Sequence, residues 1–152
     1  MLKHPDIMEQ MVVAIMQTGF ELDQNINAIL RSFEITTHQY NILRILRGAS
    51  PGTLSQKQIR ERMIFRNPDL TRLLDRLITK KLVERNVCPG NRRQSEISIT
   101  DTGLDMLDRI YPVLKKDLHQ FFKNLIPVEE AGKMVLHLQT VTAMIKEVDG
   151  GD

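Results

Sequence analysis

Between Leu104 and Leu125 apolar residues return at alternating steps of three and four: Leu104, Leu107, Tyr111, Leu114, Leu118, Phe121 and Leu125. On a helix that rhythm sets them along one seam, and such a seam is satisfied against another helix. Pro112 lies inside it, so the spacing predicts a kink near Tyr111. A second stripe closes the chain, where Pro127, Glu129 and Glu130 open a helix carrying Met134, Leu138, Val141, Ile145 and Val148, and Gly150 and Gly151 end it. A third begins it. Met8, Val12, Ile15, Leu22, Ile26 and Ile29 lie close to one face of a helix from Ile7 to Leu30, widened by Met11, Met16 and Phe20. Both ends of the chain are therefore expected to be helical and apolar on one side.

The middle is punctuated differently. Thr36-Thr37-His38-Gln39 and Ser55-Gln56-Lys57-Gln58 each have the capping-box form, a hydroxyl residue followed three positions later by Gln. The first precedes Tyr40, Leu43 and Leu46, with Gly48 as the expected stop, and the second follows the Pro51-Gly52 break and precedes Ile59 and Met63. Asn67-Pro68-Asp69 reads as a further helix start, with Asn as the cap and Pro at the first helical position. Leu70, Leu73, Leu74 and Leu77 then mark an inner face, leaving Asp69, Arg72, Arg76 and Lys80 mostly outside it. Period-two alternation in Glu96-Ile97-Ser98-Ile99, after Leu82-Val83-Glu84-Arg85 and a Pro89-Gly90-Asn91 turn signal, predicts a small β-hairpin.

Charge is concentrated in the same region. Residues 55–93 hold eleven of the 21 Lys and Arg against four of the 19 Asp and Glu. A polyanion-binding surface is expected there, against the plainer alternative of a solvated basic face. Two short helices joined by a turn, the second basic on its outer face, followed by a basic-tipped hairpin, is the order of a winged helix-turn-helix. Asn67, Asp69, Thr71, Arg72 and Arg76 are of the types that meet base edges, and Arg66 adds a cation beside them. Ser55, Gln56 and Lys57 suit phosphates, and Arg92 and Arg93 at the hairpin tip suit the minor groove.

These residues resemble the MarR group of bacterial winged-helix regulators. Leu70-Thr71-Arg72-Leu73-Leu74-Asp75-Arg76-Leu77, then Lys81-Leu82-Val83-Glu84-Arg85, is similar to its recognition helix running into the wing. Asn91-Arg92-Arg93-Gln94-Ser95-Glu96-Ile97-Ser98-Ile99-Thr100-Asp101-Thr102-Gly103 resembles its wing motif, Asp-x-Arg-x-x-x-aliphatic-x-aliphatic-Thr-x-x-Gly. The resemblance implies a homodimer that binds a pseudo-palindromic operator in double-stranded DNA, usually as a repressor released by a small molecule. It assigns Thr71 and Arg72 to the recognition helix and Arg93 to the minor groove. Asn91 replaces the family's Asp, and Pro68-Asp69 replaces small hydroxyl residues, so an unusual operator is expected.

The expected fold is mainly α with a small β-hairpin wing (α+β). A winged helix-turn-helix at 36–100 is flanked by dimerisation helices at 1–35 and 101–152. No stretch is long and apolar enough to span a membrane, and the first residues lack the build of a signal peptide, so the cytoplasm is the expected compartment. Neither catalysis nor a cofactor is expected, since no nucleophile motif or phosphate-binding loop occurs. The four histidines, His4, His38, His119 and His137, are too scattered for a zinc site. The single cysteine, Cys88, is read as an incidental thiol and the methionines as core. The alternative from another class is a dimeric winged-helix adaptor whose basic face meets an acidic protein instead of DNA.

Overall fold

The computed structural model describes residues 6–64, 69–87 and 95–149. Its elements are α1 (Ile7–Arg31), α2 (Thr37–Ala49), β1 (Leu54–Ser55), α3 (Gln56–Arg62), α4 (Leu70–Thr79), β2 (Val83–Val87), β3 (Ser95–Ile99), α5 (Asp101–Phe122) and α6 (Val128–Asp149). They fall into two compact units divided between Leu114 and Lys115, so α5 contributes to both.

Capping chemistry sets the helix starts. Thr36 Oγ1 accepts from the Gln39 N–H at 3.3 Å while Gln39 Oε1 accepts from the Thr36 N–H at 3.0 Å. Ser55 and Gln58 repeat the exchange at 3.2 and 2.9 Å. Both boxes stand where the spacing predicts them. A third, between Asp6 and Glu9, opens α1. Gly48 does not stop α2, which runs one residue further to Ala49. The helix ends where Ser50, the residue before Pro51, takes extended angles of φ −61, ψ 138. The described part of α4 begins at Leu70, flanked by Asp69 without a side-chain cap, and the expected Asn67-Pro68 start lies outside the described residues.

Two helix ends share one closing device. After α1 the Ile35 N–H reaches back to the Leu30 carbonyl with Glu34 at φ 57, and after α4 the Leu82 N–H reaches Leu77 with Lys81 at φ 58. These are Schellman closures with a non-glycine residue in the left-handed position. Lys80 ties them together, its Nζ donating to the Glu34 carbonyl at 2.9 Å and lying 3.6 Å from the Glu34 carboxylate.

The hairpin is present and carries a third strand: the antiparallel order is β1-β3-β2, pairing Leu54 with Ile97 and Val83 with Ile99. Behind it Thr100 caps the turn into α5, its hydroxyl donating to the Lys81 carbonyl at 2.7 Å and accepting the Gly103 N–H at 3.1 Å. A Cβ at Gly103 would lie 2.2 Å from the Leu82 carbonyl oxygen, so only glycine fits. The Thr-x-x-Gly of the wing motif thus joins the sheet to α5.

The core of the first unit draws on every element around it: Leu30 from α1, Ile42, Leu43 and Leu46 from α2, Ile59 from α3, Leu70, Leu74 and Leu77 from α4, Ile97 from β3, and Leu107 and Ile110 from α5. The apolar residues of the N-terminal part of α1 are exposed, and Met8, Met11 and Met16 are among them, contrary to their reading as core. Pro112 does not end α5. In the second unit α6 leaves Met134, Leu138, Val141, Ile145 and Val148 exposed. Among the described residues no helix is long and apolar enough to cross a membrane.

Candidate nucleic-acid interface

The surface is built on the division of α4 into two faces. Leu70, Leu74 and Leu77 are fully buried, while Asp69, Thr71, Arg72, Asp75 and Arg76 are exposed. Burial of three leucines fixes the helix's rotation, and the rotation aims the polar side chains outward. Arg72 Nη1 lies 3.7 Å from Asp69 Oδ2, one turn back, which restrains the guanidinium near the helix start. Asp69 screens one cation and leaves the next open: Arg76 has no ion pair among the described residues.

The start of α3 stands beside this face. Thr71 Oγ1 donates to Gln56 Oε1 at 3.5 Å, so two residues expected to contact DNA come together from different helices. The capping box restricts what Ser55 offers. Its N–H is engaged with Gln58 Oε1 and its oxygen with the Gln58 N–H, leaving the hydroxyl proton as its outward donor. Gln56 and Lys57 follow, with Lys57 exposed. The structure therefore assembles Ser55, Gln56, Lys57, Asp69, Thr71, Arg72 and Arg76 on the α3 and α4 pair. Arg66, Asn67, Arg92 and Arg93, also expected at the interface, lie outside the described residues, as does Cys88.

Ion pairs and hydrogen bonds that spacing does not disclose orient the parts. Arg85 Nη2 on β2 meets Asp75 Oδ1 on α4 at 3.3 Å, fastening the hairpin's first strand to the helix that precedes it. Thr53, just before β1, donates to the Glu96 carboxylate on β3, and Ser98 donates to Glu84 across the hairpin at 3.0 Å. Pairs as exposed as Asp75 and Arg85 contribute at most about 1 kcal/mol, so their value lies in orientation. In sequence Asp75 and Arg85 are only two charges ten positions apart. An open depression of about 350 Å3, lined by Glu34, Thr36, Gln39, Arg76, Thr79 and Lys80, adjoins the surface. Burial pushes the Tyr40 hydroxyl on α2 above its usual pKa of 10.0, opposed by the nearby Arg44 and Arg47 charges. Arg44 also stands 5.9 Å over the Tyr40 ring.

Known proteins with this pattern agree among themselves. A model of the MarR family matches residues 33–94. The multiple antibiotic resistance protein MarR of Salmonella typhimurium is 30% identical over 110 residues, covering 72% of this chain and 75% of its own. The HTH-type transcriptional regulator PecS of Dickeya dadantii is 27% identical over 112 residues, covering 71% of this chain and 68% of its own. In fold, the chain is similar to a cysteine-to-serine variant of Escherichia coli MarR crystallised with operator DNA. That match has a TM-score of 0.75 at 24% identity and covers 90% of this chain and 99% of the other.

Proposed function

This chain belongs to the MarR family of transcription regulators, and from that membership we propose that it binds duplex DNA as a homodimer, with α4 in the major groove and the β2–β3 wing over the adjacent minor groove. The observation that carries the reading is the two-faced α4: a helix held by Leu70, Leu74 and Leu77 that presents Thr71, Arg72 and Arg76 to solvent. A helix so placed meets base edges with its first turns and phosphates with its flanking cations. Ser55, Gln56 and Lys57 contact the backbone of the same groove, Arg66, Asn67 and Asp69 join in contacting the bases, and Arg92 and Arg93 contact the minor groove. The kinship and the operator-bound structural neighbour favour this reading over the adaptor.

Residues 1–35 and 101–152 supply the dimer. The exposed apolar stripe of α1 and that of α6 are each a surface for a second copy to cover, and two-fold pairing presents two reading helices to a pseudo-palindromic site. The protein acts in the cytoplasm as a repressor, without catalytic activity, and a small-molecule effector releases it.

Selection of bound sites from random duplexes tests the proposal. The expected product is a palindrome with half-sites about one helical turn, roughly 10 bp, apart. Arg72→Ala is expected to weaken binding to it by about tenfold or more and to relax preference at one position, while Lys57→Ala weakens all duplexes alike and lowers the salt dependence. Failure of the wild type to bind any duplex at low salt would sink the DNA reading and restore the adaptor.

A further inference from the structure

Asn41 lies beside the apolar stripe of α2, next to Ile42 and Leu43, and is only 8% exposed. A carboxamide buried to this degree is costly unless something uses it. Its user is a different segment: the Ile64 N–H donates to Asn41 Oδ1 at 3.0 Å. Ile64 is the second residue beyond α3, and its side chain is 71% exposed, so packing does not hold it. Met63 before it is buried and directs its N–H back to the Ile59 and Arg60 carbonyls. The chain therefore leaves α3 in a direction set by one apolar anchor, Met63, and one polar anchor, Asn41. Five residues after Ile64 comes Asp69, at the threshold of α4.

We infer that Asn41 is a positioning residue for sequence reading: without touching DNA, it fixes the backbone at Ile64, where the chain leaves α3 on its way to the reading helix. The inference rests on the DNA-binding reading above. Hydrogen bonds to base edges are directional and fail when the donor shifts by more than about 0.5 Å, whereas phosphate contacts follow charge and tolerate such shifts. Removing the acceptor leaves the Ile64 N–H unpaired and frees the departure angle. Preference for the selected site then falls, and attraction to DNA in general does not.

Two variants of the full chain separate the hydrogen bond from the packing. Asn41→Leu keeps a comparable volume and deletes the acceptor; Asn41→Asp keeps an acceptor oxygen in the same place. Affinity is measured for the duplex obtained by random selection and for an unrelated duplex, alongside amide exchange at Ile64. Asn41→Leu is expected to lower affinity for the selected duplex by about tenfold, the scale of one misplaced base contact. Binding to the unrelated duplex and its salt dependence should stay unchanged, and exchange at Ile64 should accelerate. Asn41→Asp is expected to restore both the preference and the slow exchange. If Asn41→Leu does not fold, Asn41→Ala takes its place. An unchanged preference overturns the inference, and so does an equal loss on both duplexes that Asn41→Asp fails to rescue, which marks a role in stability alone. If the wild type binds no duplex, the DNA reading fails and the inference falls with it.

Discussion

α4 and α6 both carry an apolar stripe, yet they dispose of those side chains in opposite ways. In α4 Leu70, Leu74 and Leu77 are fully buried; in α6 Leu138, Val141 and Ile145 are exposed. The difference lies in what surrounds each helix. α4 is enclosed by α2, α3 and the sheet, with Leu43, Ile59 and Ile97 in the same cluster, whereas the stripe of α6 is exposed within its own unit. An exposed stripe at heptad spacing is an interface in waiting.

The largest effect is expected where that contrast is broken at the ends. Leu138→Asp places a charge in the α6 stripe, and we expect it to yield a monomer in sedimentation, with affinity for the palindrome reduced by about a hundredfold because two linked half-site contacts become independent. Its melting temperature should lose dependence on protein concentration. A Leu138→Asp protein that still sediments as a dimer would move the interface elsewhere. Next comes Leu74→Ala inside the module, expected to cost about 2–5 kcal/mol in chemical denaturation through the cavity it leaves, with dimerisation of the folded fraction unchanged. The smallest effect belongs to Tyr40, at the module's edge. Burial raises its pKa above 10.0, so the folded state favours the neutral phenol. The stability this contributes is complete below the unfolded value and is lost as pH rises through the folded one. Tyr40→Phe removes the titration and should flatten the alkaline fall in stability above about pH 10, and an unaltered alkaline limb would show that other groups control it.

Much of the fold and of the candidate interface is legible in the order of the residues alone. The capping boxes at Thr36 and Ser55, the inner face of α4 and the alternating Glu96-Ile97-Ser98-Ile99 strand are local signals, carried by residues within a turn or two of each other. Gly48 misleads because a glycine can end a helix but need not, and α2 ends instead where Ser50, before Pro51, turns extended. The two-residue β1 strand is too short to have a period, and it exists because Leu54 pairs with Ile97 from 43 positions away. Met8, Met11 and Met16 share the spacing of core residues, and helical spacing cannot distinguish a stripe buried in its own chain from one left for another.

The sequence by itself determined the helices, the hairpin, the basic stretch and the family, because caps, periodicity and charge act between neighbours and are written in order along the chain. Tertiary structure alone decided the contacts that join distant segments: Asp75 to Arg85, Lys80 to Glu34, Thr53 to Glu96 and Asn41 to the Ile64 backbone. Each joins groups whose separation in sequence carries no period, and it depends on the burial of Leu70, Leu74, Leu77 and their neighbours to hold the two ends within reach.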